Sequence, residues 1–201
     1  MRILPSGQQA VLVELDDLDE VLGYYAALTA DPPAGVVDIV PAARTILVTT
    51  SGSTTALSHA LRRLTPARDR RTAGDLIGIP VVYDGEDLGN VAELLGCTPE
   101  DVVARHTAEE WTVAFSGFAP GFGYLTAAGE WNIPRRPSPR TKVPAGAVAL
   151  GGEFSGVYPR ESPGGWQLIG RTVVRIFDSS REPAALLHPG RRVRFVDAGR
   201  G

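Results

Sequence analysis

The sequence predicts an α+β protein of two lobes. Strand-like and helix-like runs alternate over roughly the first 80 residues, and short β runs separated by turn residues dominate from Thr112 onward. Gly and Pro concentrate inside that second region: residues 116–171 hold 11 Gly and 7 Pro.

Ala10–Leu15 alternates apolar and polar residues and reads as a strand. Asp17–Thr29 reads as a helix with acids in its first turn, where the helix dipole favours them. Val36–Val40 and Thr45–Thr50 are β-rich runs joined by a Pro-containing turn. Ser53–Leu64 is a second helix, with Leu57, Ala60, Leu61 and Leu64 on one face. Leu76–Tyr83 is expected to close the unit as a strand. The order β-α-β-β-α-β fits a ferredoxin-like split βαβ lobe over residues 1–80.

A helical pair follows. Leu88–Leu95 stops at Gly96, a residue suited to the left-handed turn after a helix. Thr98-Pro99-Glu100-Asp101 then supplies an N-cap, a first-turn proline and first-turn acids for a helix reaching about His106. Beyond it the runs TVAFSGF, AVALGG, VVRIF and RRVRFV have the pattern of a small barrel or sandwich. Residues 81–201 are thus expected to form a β domain led by two helices.

Composition excludes several classes. Of 201 residues, 20 are basic and 23 acidic, a net charge of −3, too nearly balanced for a general nucleic-acid or membrane-surface binder. Cys97 is the one cysteine, which rules out an internal disulfide and a cysteine-based zinc cluster. His59, His106 and His188 lack metal-ligand spacing, so no metal site is expected in the chain. There is no apolar run of about 18 residues and no signal-like start, and a cytoplasmic protein is the expectation.

Residues 116–171 are too rich in large apolar groups to be a linker: Phe118, Phe122, Tyr124, Trp131, Phe154, Tyr158 and Trp166 all fall there. The segment carries six basic and three acidic residues, and Lys142 is the one lysine of the chain. Three clusters stand out, at Gly117–Leu125 (GFAPGFGYL), Pro137–Gly146 (PSPRTKVPAG) and Gly156–Thr172 (GVYPRESPGGWQLIGRT). None is a phosphate-binding P-loop or a nucleophile elbow.

These clusters, in this order, resemble the signature strings of a family of small bacterial 5-oxoprolinase subunits, the B subunits, also called allophanate hydrolase subunit 1 or kinase A inhibitor. The helix at 87–96 and His106 extend the resemblance over nearly the whole chain. Ala147 departs from it, since members often carry Ser there. The resemblance implies an N-terminal ferredoxin-like lobe and a C-terminal cyclophilin-like β-barrel. It also implies two companions, the larger C subunit with a similar barrel and the A subunit of the same enzyme. ATP, with Mg²⁺, is the implied co-substrate in hydrolysing 5-oxo-L-proline to L-glutamate.

A lactam amide is a poor electrophile, and phosphorylating its carbonyl oxygen lets water open the ring. Positioning and charge stabilisation then dominate. Arg140 and Arg171 suit bidentate recognition of carboxylate or phosphate, and Lys142 a point contact. Gly164 and Gly165 leave room for backbone N–H groups to approach an oxyanion. Glu161 or His106 can move a proton. Gly117, Phe118, Pro120, Gly121, Phe122, Ser162, Trp166 and Thr172 complete the expected binding set.

Each has a structural alternative: turn formation for the Pro-Gly pairs, core or interface packing for the aromatics, helix capping for His106, and ion pairing for Arg171 and Glu161. Two other functions remain open at this level, an inhibitor docking on a sensor histidine kinase and a component of an allophanate or urea-pathway amidohydrolase. Aromatics not needed in the barrel's own core are expected to form a patch that the C subunit covers.

Overall fold

The computed structural model describes residues 1–67 and 75–199, which fall into two units, Met1–Thr72 and Ala73–Gly201. The first unit starts with a hairpin. β1 (Arg2–Ser6) and β2 (Ala10–Glu14) pair antiparallel around a turn in which Gly7 takes φ 66°, a conformation glycine reaches without strain. α1 (Leu18–Ala30) follows, capped by the Asp17 carboxylate, which accepts from the Glu20 amide. β3 (Val36–Pro41), β4 (Thr45–Thr50) and α2 (Thr54–Arg63) complete the unit.

The sheet order is β1-β2-β4-β3, antiparallel throughout. Alternate residues Val11, Val13, Ile46 and Val48 are buried against Val21 and Leu28 of α1 and Leu57 and Leu61 of α2. The expected closing strand at 76–83 is absent from this sheet. β1 occupies the edge beside β2 that a strand after α2 would take in a split βαβ lobe. The reason is local: a short hairpin closes at little entropic cost, and its apolar residues alternate correctly for that edge.

That displaced segment, β5 (Leu76–Val81), opens the second unit. α3 (Leu88–Leu95) ends at Gly96 with φ 67°, as its sequence predicts. α4 (Pro99–Ala108) begins with a complete capping box between Thr98 and Asp101. The strands are β6 (Trp111–Ser116), β7 (Gly123–Thr126), β8 (Arg140–Val143), β9 (Ala147–Gly151), β10 (Phe154–Val157), β11 (Ser162–Gly164), β12 (Gln167–Arg171) and β13 (Arg192–Asp197).

Six of them and β5 form one seven-stranded sheet in the order β12-β9-β10-β7-β6-β13-β5, with β5 parallel to β13. Val82, just past β5, then exchanges two 2.9 Å backbone hydrogen bonds with Arg171 of β12. The two edges therefore meet, and the sheet is a nearly closed barrel. β8 and β11 make a separate two-stranded ribbon.

Strand alternation gives the barrel wall two faces. One side carries the core of Ile79, Val81, Val113, Leu125, Val148, Leu150, Val157, Ile169 and Val193, with Trp111, Trp131 and Phe195. The other face of β7 and β10 carries Tyr124 and Phe154, which join Phe115, Phe122, Tyr158 and Trp166 in a continuous set of ring contacts. Gly151 and Gly156 make room for this layer. A Cβ at either would lie 2.7 or 3.1 Å from the Trp166 indole. No helix among the described residues is long and apolar enough to cross a membrane.

Candidate functional site

The turn between β6 and β7 is held by its own backbone. The Gly117 amide donates to the Phe122 carbonyl at 3.2 Å, and the Phe122 amide to the Ala119 carbonyl at 2.9 Å. Phe118 takes a positive φ of 65°, alone among the described non-glycine residues, and is 56% exposed. Gly121 also has positive φ and lies against Phe177, where a Cβ would come within 2.6 Å. Pro120 is exposed, while Phe122 turns inward, edge-on to Trp166 at 5.4 Å and to Tyr158 at 5.3 Å. Trp166 is 4% exposed, a packed member of the aromatic layer.

The expected anion-binding cations are engaged with acids of the chain itself. Arg140 donates from Nη1 to Asp87 Oδ2 and from Nη2 to Asp87 Oδ1, both at 2.9 Å, and Nη2 also reaches Glu86 at 2.9 Å. Arg136 donates to the same Asp87 at 2.7 Å, and so does the Leu168 amide. Asp87 is itself buried. Burial pushes its carboxyl pKa up, but the hydrogen bonds from Arg140 and Leu168 and the two guanidinium charges outweigh this and hold it below the usual carboxylate range.

Lys142 pairs with Glu161 at 3.3 Å across the β8–β11 ribbon, both side chains exposed. Arg171 pairs with Asp84 at 2.9 Å, also exposed. Arg140, Lys142 and Arg171, expected to meet a phosphate or carboxylate, thus each have an acid partner within the chain, the alternative that the sequence also offered for Arg171 and Glu161. For Arg140 the reason is the turn at 84–87. The amides of Gly85 and Asp87 donate to the Ile169 and Leu168 carbonyls, which seats Asp87 beside Arg140.

His106 departs most from expectation. It is fully buried in the barrel core, with Nδ1 2.8 Å from the Tyr83 hydroxyl and Nε2 2.9 Å from the Ser155 hydroxyl. Its ring stacks on Phe195 at 4.5 Å, and its carbonyl accepts from Trp111 Nε1 at 3.0 Å. Burial lowers its pKa to about 3, so the imidazole is neutral. A proton-transfer role at a substrate is replaced by a core Tyr–His–Ser hydrogen-bond chain.

Because the unfolded histidine titrates near 6.5, the unfolded chain binds a proton that the folded one refuses, and stability falls as pH drops from about 6.5 towards 3. The loss at pH 5 is expected to be about 2 kcal/mol relative to pH 7.5. Urea titrations at the two pH values, for wild type and His106→Gln, measure it. The variant is expected to be less stable at pH 7.5 and nearly flat over this interval, and an equally steep variant would assign the slope to another group.

The glycine pair plays a packing part. The Gly165 carbonyl accepts from the Arg136 amide at 2.8 Å, and a Cβ on Gly164 would overlap the Tyr158 hydroxyl. Ser162 donates to the Arg160 carbonyl, and the Thr172 hydroxyl accepts from the Val174 amide, both at 3.2 Å. A cavity of about 350 Å³ in this unit is lined by Tyr83, Leu88, Pro99, Glu100, Val103, Ala104, Thr107 and Asp197, none of them in the three motifs. The structure thus gathers Phe118, Phe122 and Trp166 on one aromatic face. It puts Arg140 in the Asp87 cluster, Lys142 and Glu161 on the ribbon, and His106 in the core.

Sequence reading missed Asp87, Arg136, Tyr83 and Ser155. Asp87 stands at a helix start, where capping is the ordinary role, yet its side chain makes no cap hydrogen bond. The surplus of Arg over acid in 116–171 was a usable signal, since buried guanidinium groups need carboxylates from elsewhere. Because the Lys142–Glu161 pair is exposed, Lys142→Ala is expected to change stability by no more than about 0.5 kcal/mol, checked by denaturant melts.

Residues 1–187 match the family described as carboxyltransferase domain, subdomain C and D. The B subunit of 5-oxoprolinase from Escherichia coli O157:H7 is 38% identical over 97% of this chain and 95% of that protein. Among solved structures, TTHA0988 is 37% identical with a TM-score of 0.76. The likeness covers 96% of this chain, which spans only 40% of that one. The urea carboxylase of Kluyveromyces lactis, 18% identical over 98% of this chain and 23% of its own length, has a TM-score of 0.76, a likeness of fold alone. With the family match running over residues 1–187 and the identity extending along nearly the full length of both proteins, the chain belongs to the family of 5-oxoprolinase B subunits.

Proposed function

We propose that this chain is a non-autonomous component of an ATP-dependent 5-oxoprolinase, which converts 5-oxo-L-proline to L-glutamate together with the A and C subunits. The observation that carries the reading is the near-full-length identity to a curated 5-oxoprolinase B subunit. The site geometry favours a part rather than a whole enzyme. Arg140, Lys142 and Arg171 each have an acid partner, and the motif residues line no cavity described in the second unit. Because Arg140, Lys142 and Arg171 are each paired with an acid of this chain, a companion contributes to holding ATP with Mg²⁺ in this reading.

The nearly closed barrel is read as cyclophilin-like. Fold does not fix activity, and neither peptide-bond isomerisation nor kinase inhibition follows from it. The urea carboxylase likeness is one of fold and does not favour a urea-pathway role.

The test is reconstitution. The purified chain and its A and C companions are mixed with ATP, Mg²⁺ and 5-oxoproline, and glutamate is measured. The complete mixture is expected to form glutamate while the chain alone forms none. A rate unchanged by omitting this chain overturns the reading.

A further inference from the structure

Phe118 is the least economical residue in the fold. A bulky side chain at φ 65° carries backbone strain that glycine would avoid, and the residue is more than half exposed. It stands on buried partners, edge-on to Phe122 at 5.3 Å and to Tyr158 at 6.1 Å. Phe177, seated against Gly121 and 36% exposed, flanks the same turn. Folding gains little from a strained, solvated phenyl ring.

The charge beside this ridge is unpaired. Arg135 lies over the Trp166 ring, 6.0 Å from its centroid, and close enough to Tyr124 and Tyr158 to act on both phenols. Among the described residues no carboxylate forms an ion pair with it, in contrast to Arg136, Arg140, Lys142 and Arg171. An apolar ridge beside an exposed guanidinium with no acid partner among the described residues suits a surface with an apolar socket and a carboxylate at its edge.

We propose that the turn at 117–122, with Phe177 and Arg135, is the docking face for a different polypeptide, the barrel-bearing companion. Phe118 enters an apolar socket, and Arg135 meets an aspartate or glutamate. The inference rests on the multi-component reading above and names the surface that serves it. A separate polypeptide is the favoured occupant because the module spans two fifths of the TTHA0988 chain, so in that relative further protein is joined to it. Arg135 also calls for a carboxylate, and the residues that make this face, Phe118, Phe177 and Arg135, supply none.

The experiment measures binding of the purified C companion to wild type, Phe118→Gly and Arg135→Glu by interferometry, with melting temperatures and glutamate formation in the three-component mixture. Phe118→Gly is expected to weaken binding at least tenfold while leaving the melting temperature unchanged or higher, because the strain is relieved. Arg135→Glu is expected to weaken it at least tenfold at low salt and less at high salt. Wild-type affinity in Phe118→Gly, with glutamate formation intact, overturns this docking face and leaves the 5-oxoprolinase reading standing. No binding and no glutamate formation with wild type overturns that reading and this face with it. A wild-type homodimer that Phe118→Gly dissociates, with binding to the companion unchanged, assigns the face to a second copy and overturns the proposal.

Discussion

Replacing Asp87 with alanine is expected to lower stability by about 3–5 kcal/mol, because it strands charges that the fold has already desolvated. Asp87 accepts from Arg136 and Arg140 and from the Leu168 amide, and its side chain is 5% exposed beside the 16% of Arg140. Denaturant melts of Asp87→Ala, Arg140→Ala and the double variant measure the coupling. The double variant is expected to be less unstable than the sum of the singles, since each single leaves a buried partner unmatched. Glu86→Ala is the control, its carboxylate being 76% exposed, and should change stability by no more than about 0.5 kcal/mol.

The acid limb follows from the same cluster. Asp87 has a depressed pKa, so its contribution is fully present above the unfolded value near 4 and is lost as pH falls through the folded one. This window lies below that of His106, which weakens the fold from about 6.5 downward. A loss of less than about 1 kcal/mol in Asp87→Ala at pH 7 would mean that the arginines find other partners, and the cluster would then not hold the 84–87 turn.

Trp166→Ala is expected to cost about 3–5 kcal/mol through the cavity it opens. The indole fills the space above Gly151 and Gly156 and contacts the rings of Phe122 and Tyr124. The expected signature is a lower melting temperature, with affinity for the C companion nearly unchanged wherever the variant is folded. That is the reverse of Phe118→Gly, where binding falls and melting does not. A folded, undiminished Trp166→Ala that no longer bound the companion would move the docking face inward to the indole.

Local chemistry was legible wherever a few neighbouring residues decide the outcome. Gly96 ends α3 in the left-handed region, Thr98 and Pro99 start α4, and acids stand in the first turn of α1. The motif strings pointed to the family directly. Reading Leu76–Tyr83 as the last strand of the first lobe failed because β5 finds its partner at Arg192–Asp197, more than a hundred residues away. Its apolar alternation fits either sheet, and nothing in the segment itself chooses between them.

Residue types and order, taken alone, determined the four helices, several of the strands, the aromatic richness of residues 116–171 and the family of the chain, although the apolar run at 173–177, read as β, forms no strand. Only the tertiary structure decided what the charged and polar groups do. Arg140 meets an acid 53 residues before it and His106 a hydroxyl 49 residues after it, while Arg135 meets no acid among the described residues. A helix cap or a turn is settled by bonds within one or two turns of chain, but a buried charge takes whichever partner the packed sheet brings within hydrogen-bonding reach. Closure of the barrel makes that choice, and a linear reading of the residues has no access to it.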